Sequence, residues 1–179
     1  IDHPEVSVEI NVDSRLVDLV AEGYDAGIRF GETVERDMIA VRVGPDLRTV
    51  VVGTPAYFAK RPRPAHPDEL EQHNCVNYRL EGGGLLPWEF AREGREARYR
   101  PPGQFIGNDE DVAGACVRSG VALGYMLETD VAEEIADGRL IQVLDDWCAR
   151  FPGLFLYYPS RQVTPALRAL ADALRWREG

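Results

Sequence analysis

Two stretches that read as strands and end in small-residue turns constrain the fold of this chain more than any other feature. The first, residues 24–31, ends in Arg29-Phe30-Gly31, and the second, residues 49–52, is followed by Gly53-Thr54-Pro55. A strand followed by glycine, threonine and proline exposes backbone N–H groups and a helix N-terminus at its carboxyl end. Sheets of α/β proteins receive ligands at that end. The pattern therefore predicts ligand binding before it predicts catalysis.

Composition predicts a soluble globular protein that does not itself bind DNA. With 179 residues, 45% of them hydrophobic, the chain can form a core in one ordinary domain or two small ones. Its longest apolar runs fall far short of the roughly 20 residues that a membrane span needs. The 30 acidic and 20 basic residues give a net charge of -10, which repels a phosphate backbone.

The cysteines and the first residues indicate a cytoplasmic piece of a longer protein. Three cysteines without CxxC spacing favour reduced thiols over a disulfide framework or a zinc site. Ile1-Asp2-His3-Pro4 has neither an initiating Met nor the features of a signal peptide, so we expect an internal cut. Residues 6–12 alternate apolar and polar, which predicts a strand whose neighbour lies upstream.

The order of predicted elements begins with a strand–helix–strand unit. A helix through residues 16–20 ends at Gly23 and a strand over residues 26–30 follows, so together with the strand at residues 6–12 we expect a parallel βαβ crossover. Further strands are predicted at 49–52, 75–79, 88–90, 95–100, 121–126, 140–144 and 154–158. Helices are predicted at 56–60 and 68–72, after Asn108-Asp109, from Thr129 or Asp130, and after Thr164-Pro165.

This order predicts two lobes, the second inserted into the first. Residues 1–48 plus 154–179 would form one lobe and residues 49–153 the other. The chain would then cross between lobes near residues 48–50 and 151–154, leaving a cleft for a ligand.

Several segments, taken in order, resemble the effector-binding domain of LysR-type transcriptional regulators. They are residues 15–32 with the sequence Asp25-Ala26-Gly27-Ile28-Arg29-Phe30-Gly31-Glu32, Gly53-Thr54-Pro55-Ala56-Tyr57-Phe58, and residues 73–78, 108–126 and 138–144. The resemblance covers nearly the whole chain. It implies a periplasmic-binding-protein-like (type 2) α/β fold, with two regulatory subdomains joined by two crossovers and a ligand cleft between them. It also implies that the first strand of the domain and the helix after it are missing.

The resemblance also implies partners. These are a small-molecule effector, with carboxylates and aromatic metabolites as candidate classes, and DNA, bound only through a missing N-terminal winged helix-turn-helix. A homodimer or higher homo-oligomer would pair the helix near residues 15–21 with the helix near residues 112–118 of a second copy.

Seven residues are candidates for effector binding. Arg29 could pair with a carboxylate, or instead with Glu32 or Asp37, while strand alternation favours Phe30 beside Gly31. Gly53 and Thr54 could receive an anion at a helix N-terminus, or Thr54 could simply cap the helix. Asn108 could cap its helix or bind ligand, and Tyr125, with Met126, could line the site or pack in the core.

Catalytic and metal sites are not predicted. His73 and Cys75 lack an orienting acid, so packing is the better interpretation. A redox pair of Cys116 and Cys148 is conjecture. Acidic pairs lack the spacing of a calcium loop, so we expect no metal and no cofactor. The predicted function is effector sensing in a transcriptional regulator; the alternatives are a solute-binding receptor of a transport system and, less well supported by the residues, an enzyme.

Overall fold

Two compact units make up the chain, whose computed structural model describes residues 3–12, 19, 21–31, 38–80, 83–161 and 163–177. Unit 1 comprises Ile1–Asp46 and Phe151–Gly179, and unit 2 comprises Leu47–Arg150. The strands are β1 Gly27–Phe30, β2 Met38–Arg42, β3 Leu47–Gly53, β4 Val76–Tyr78, β5 Trp88–Arg92, β6 Arg95–Tyr99, β7 Phe105–Gly107, β8 Gly124–Leu127, β9 Ile141–Val143, β10 Arg150–Phe151 and β11 Leu154–Pro159. The α-helices are α1 Pro55–Phe58, α2 Glu110–Arg118, α3 Glu128–Ala136 and α4 Pro165–Leu174.

Unit 1 is a small antiparallel sheet covered on one face by α4. β11 lies between β1 and β2 and is antiparallel to both. The Thr164 hydroxyl accepts a hydrogen bond of 3.2 Å from the Leu167 N–H and so begins α4, as Thr164-Pro165 predicts. Apolar residues of α4 then pack on the sheet, in a core of Val41, Leu156, Tyr158, Leu167 and Ala171.

The predicted strand at residues 6–12 is wrong. The structure assigns no strand there, and Val8, Ile10 and Val12 are 52%, 82% and 93% exposed. The parallel βαβ unit is therefore also wrong, since β1 pairs with β11 in antiparallel register. Alternation of apolar and polar residues suits a strand, but a strand forms only where a second strand can hydrogen-bond with it. The predicted helix through residues 16–20 falls largely outside the described residues.

Unit 2 is built on both faces of β3, a strand that is buried throughout its second half. Val51 packs on one side, in a core with Trp88 and Phe90 of the β5–β6 hairpin. Val50 and Val52 pack on the other side, in a core that includes Val117 of α2 and Val131 of α3. β3 is antiparallel to β8 and β9. This two-sided burial explains why the run Val50-Val51-Val52 is continuously apolar.

Most predicted elements of unit 2 are confirmed, with differences at their ends and in the loops. β7 was not predicted, and residues 145–153, where neither a strand nor a helix was predicted, contain a 3₁₀ turn, Asp145–Trp147, and β10. α3 starts at Glu128 without a side-chain cap, one residue before the predicted Thr129. The longest helix in the described ranges, α4, has 10 residues, and none of the described helices is long and apolar enough to cross a membrane.

Glu93→Asn is expected to stabilise the chain by about 0.5–1 kcal/mol. Glu93 and Gly94 form the two-residue turn of the β5–β6 hairpin with φ angles of 52° and 75°, the left-handed region that this turn type demands. Asn enters that region more readily than Glu. The thermal unfolding midpoint measures the gain. Glu96→Gln, which removes the same charge from strand β6, is the control; an equal rise in both variants would attribute the gain to charge.

Candidate functional site

The three candidate residues of unit 1 lie together at the end of β1. Phe30 is 49% exposed, and its ring contacts that of Phe151 edge-on at a centroid distance of 6.0 Å. Arg29 is half-buried on the opposite face of the strand and has an interaction partner. Its predicted alternative partners, Glu32 and Asp37, lie outside the described residues. Phe30 therefore offers more accessible surface to a ligand than its position in an apolar strand implies.

Gly31 is required by a neighbouring ring. A Cβ atom at this position would overlap the Phe155 side chain of the central strand β11. Glycine at position 31 is therefore explained by packing against Phe155, whether or not a ligand binds there.

Strand direction decides which end of the unit 2 sheet each candidate occupies. β4 is parallel to β7, and the Cys75–Leu123 bridge aligns β4 parallel to β8. β3 is antiparallel to β8. The carboxyl end of β3, with Gly53 and Thr54, therefore lies at the amino ends of the other strands. The carboxyl ends of β4, β7 and β8 form the opposite edge.

Gly53 and Thr54 make structural contacts at the carboxyl end of β3. The Thr54 hydroxyl accepts a hydrogen bond of 3.2 Å from the Tyr57 N–H, which caps α1. A Cβ atom at Gly53 would come within 2.6 Å of Leu123 and 3.0 Å of the Phe58 ring. A Cβ atom at Gly120, just beyond α2, would lie 2.9 Å from the Thr54 hydroxyl. Thr54 thus lies beside the C-terminal end of α2.

Asn108 lies at the other end of α2. The cap of this helix is Asp109, whose carboxylate accepts a hydrogen bond of 2.9 Å from the Val112 N–H. The Asn108 carbonyl accepts a hydrogen bond of 2.8 Å from the Tyr78 hydroxyl. Within the described ranges no group is seen to bond to the Asn108 amide, which is exposed. Its side chain is therefore available to a ligand.

The structure does not bring Thr54 and Asn108 together. They flank opposite ends of α2, whose 9 residues span about 13 Å at 1.5 Å per residue. Tyr78, which the sequence interpretation missed, lies with Asn108 instead. Chain position could have indicated this contact. Tyr78 ends β4 and Asn108 follows β7, and because the two strands are parallel their ends lie side by side.

Tyr125 is partly buried and packs against the core of unit 2. Its hydroxyl donates a hydrogen bond of 2.9 Å to the Glu89 carbonyl and accepts one of 3.2 Å from the Glu89 N–H. Its ring stacks on Trp88 at 5.3 Å with an interplanar angle of 14°. Burial raises the pKa of the Tyr125 hydroxyl. These contacts attach the β5–β6 hairpin to β8.

The thiols and the buried histidine are not arranged as a catalytic group. All three cysteines are free, and burial raises the pKa of Cys75 to about 12 and that of Cys148 to about 11, so both stay protonated at neutral pH. His73 Nδ1 lies 3.1 Å from the Tyr57 hydroxyl, and burial lowers the pKa of the imidazole. In the part of the chain that the structure describes, no three potential ligands converge as a metal would require.

Comparisons with known proteins agree with one another. The profile of the LysR substrate binding domain matches residues 2–177. A Pseudomonas aeruginosa relative is 42% identical over 178 residues, 98% of this chain and 58% of the relative. The HTH-type transcriptional regulator PgrR of Escherichia coli is 36% identical over 177 residues, 98% of this chain and 59% of PgrR. The chain thus spans less than two thirds of the length of these relatives.

Solved structures agree on the fold. The regulatory domain of AphB from Vibrio vulnificus superimposes with a TM-score of 0.79 at 24% identity, covering 97% of this chain and 85% of that one. The effector domain of AmpR from Pseudomonas aeruginosa gives a TM-score of 0.64 at 18% identity, covering 97% and 81%. The predicted α/β fold, periplasmic-binding-protein-like type 2, is confirmed. The chain belongs to the LysR substrate-binding domain family.

Proposed function

We propose that this chain is the effector-sensing part of a LysR-type transcriptional regulator, which binds DNA through an N-terminal winged helix-turn-helix outside the chain. The match to the LysR substrate binding domain over residues 2–177 is the observation that carries the proposal. The net charge of -10 supports DNA binding by a separate domain, because an acidic surface repels DNA. The parent protein would work in the cytoplasm, without enzymatic activity in this domain, and as a homodimer or higher homo-oligomer.

The two units correspond, in this proposal, to the two regulatory subdomains that the family resemblance implies. Phe30 at the end of β1 and Asn108 beside Tyr78 at the strand ends of unit 2 are the candidates that their exposure supports best. A half-exposed ring and an unoccupied amide suit a small metabolite with both apolar and polar parts. A carboxylate effector remains the proposed class for Arg29, whose guanidinium could pair with it.

Signalling would require the effector to bind two arrangements of the units with unequal affinity. An effector shifts the equilibrium between two arrangements of the units only if it binds one more tightly than the other. The alternative function, a solute-binding receptor for transport, has no support among the named relatives, which are transcriptional regulators.

Thermal-shift screening of the 179-residue chain against a metabolite library tests the proposal. Phe30→Ala and Asn108→Ala are each expected to weaken the affinity for a confirmed ligand about tenfold, equivalent to about 1.4 kcal/mol. The unfolding midpoint of the free protein is expected to change little, because both side chains are exposed. Titration calorimetry measures the affinities.

Thr54→Ala is the informative comparison, because Thr54 caps α1 and lies at the far end of α2 from Asn108. Loss of a cap costs about 0.5–2 kcal/mol of stability. We expect Thr54→Ala to lower the unfolding midpoint and to leave affinity unchanged. Full affinity in both Phe30→Ala and Asn108→Ala would contradict the proposed site, and a library without any ligand would count against effector sensing.

A further inference from the structure

The chain crosses between the two units twice, and an arginine stands beside each crossover. Arg42 ends β2 in unit 1, and Arg48 lies near the start of β3 in unit 2. Their guanidinium groups bind chain segments that lead into or out of the crossovers. The inference drawn from them rests on the proposed function, in which the two units change their arrangement.

Arg48 attaches the end of unit 2 to the start of β3. Its Nε donates to the Cys148 carbonyl at 2.7 Å, and its Nη2 donates to the Asp145 carbonyl at 2.7 Å and to the Asp145 carboxylate at 2.5 Å. Its Nη1 donates to Glu128 at 3.2 Å. Four of the five guanidinium hydrogens are thus used, which only the planar fork of arginine allows.

The segment that Arg48 binds is also held from the core side. Leu144 and Cys148 are buried in the core of unit 2, and the Trp147 and Cys148 amides donate to Leu144 and Asp145 in a 3₁₀ turn. The Arg48 side chain is only 16% exposed, so water competes weakly for its acceptors. Residues 144–148 therefore move with β3, and the pairing of β10 with β3 extends this attachment to Arg150 at the end of unit 2.

Arg42 has the corresponding position in unit 1. Its Nε donates to the Gly44 carbonyl at 2.8 Å and its Nη2 pairs with the Asp46 carboxylate at 2.7 Å. The Val43 N–H donates to the Leu154 carbonyl at 2.9 Å, which extends the β2–β11 ladder to that pair. The first crossover is thus linked to unit 1 through the half-buried Arg42–Gly44 bond and the more exposed pair with Asp46, and the second is paired with unit 1 from Leu154 onwards.

We propose that Arg42 and Arg48 are positioning residues that confine bending between the units to two short joints, Asp46-Leu47 and Pro152-Gly153. The first joint lies between the last group held by Arg42 and the first residue of β3. The second lies between β10 and β11 and contains Pro152 and Gly153. An effector that favours one arrangement would then act on a pair of defined joints instead of two loose linkers.

Amide hydrogen exchange of the ligand-free chain tests the anchoring by Arg48. In Arg48→Ala the Trp147 and Cys148 amides are expected to exchange about tenfold or more faster, because the turn opens locally, while the amides of Val50, Val51 and Val52 keep their rates. Arg98→Ala, which removes an exposed 2.9 Å pair with Glu89 in the same unit, is the matched control. Arg48→Lys keeps the charge without the fork and replaces Arg48→Ala if that variant does not fold.

Spin labels test the joints directly. Ala166→Cys on α4 and Ala132→Cys on α3 are exposed attachment points in units 1 and 2, in a Cys116→Ser background that leaves only the buried Cys75 and Cys148. Pulsed electron resonance is expected to give a distance distribution about twice as broad in Arg42→Ala and Arg48→Ala as in the parent, with Arg98→Ala unchanged.

Three results would overturn the proposal. They are unchanged widths in both arginine variants, unchanged exchange at Trp147 and Cys148, and faster exchange spread evenly over unit 2, which would mark general destabilisation. None of these measurements uses an effector, so their failure is separate from a failure to find one.

Discussion

Gly103→Ala is expected to lower the free energy of unfolding by about 3 kcal/mol or more, the upper range for overpacking a core. A Cβ atom at residue 103 would overlap the Cys75 carbonyl oxygen, and it would lie 2.8 Å from the carbonyl carbon and 3.1 Å from the Asn77 amide. The two nearest obstructing atoms belong to the Cys75 backbone, which cannot rotate aside. Cys75 is fully buried and its N–H donates to the Pro102 carbonyl, so the clash must displace part of the core.

The matched control for this change is Gly107→Ala, four positions further along the same segment. A Cβ atom at Gly107 would meet nothing within 4 Å. Its replacement is expected to change stability by no more than about 0.5 kcal/mol. Urea unfolding followed by circular dichroism measures both variants. Equal losses would contradict the clash and would point to backbone freedom as the common cause.

Elements marked by their own residues were predictable from the sequence. The threonine–proline starts at Thr54-Pro55 and Thr164-Pro165 predict α1 and α4 because the hydroxyl caps the helix and proline suits its first position. The apolar runs at β3 and β11 predict buried strands because few other elements are so short and so apolar. Each of these signals is local.

Strand direction was not predictable, because it depends on partners far along the chain. The same residues at the end of β3 would lie at a ligand-receiving edge if β3 were parallel to β8. The observed antiparallel pairing of Val51 with Tyr125 instead puts Thr54 at the opposite end of α2 from Asn108. Thr54 and Asn108 could therefore be predicted as turn residues, but which edge of the sheet each occupies could not be predicted.

Residues 6–12 and Arg48 show two errors in predicting contacts from the sequence. In the first a predicted strand pairing does not form, and in the second an observed set of hydrogen bonds was not predicted. The first segment has the alternation of a strand, yet Val8, Ile10 and Val12 are exposed and no strand is assigned to it. Arg48 has no motif around it, yet its donors reach carbonyls about 100 positions away, at Asp145 and Cys148. Both outcomes are set by tertiary neighbours, which a pattern of residue types does not specify.

Trp88→Ala is expected to cost about 3–5 kcal/mol, the range for removing a large buried aromatic side chain. Trp88 is 2% exposed, and it stacks on Tyr125, whose hydroxyl holds the Glu89 backbone. Loss of the ring leaves a cavity and removes the surface against which the β5–β6 hairpin packs. Since a domain is stable by only about 5–15 kcal/mol, the change would remove a large share of the total.

Two further variants separate ring packing from other effects. Trp88→Phe keeps an aromatic face for Tyr125 and is expected to cost less than half as much as Trp88→Ala. Trp176→Ala removes an indole that is 40% exposed and is expected to cost less than Trp88→Ala, because a smaller part of its surface is buried. Denaturant unfolding followed by far-ultraviolet circular dichroism suits all three, because it does not depend on the tryptophans. If Trp88→Ala costs no more than Trp176→Ala, the Trp88–Tyr125 stack does not hold the hairpin on β8, and the hairpin must be retained by its other contacts, the packing of Phe90 in the core and the bonds of the Glu89 backbone to Tyr125.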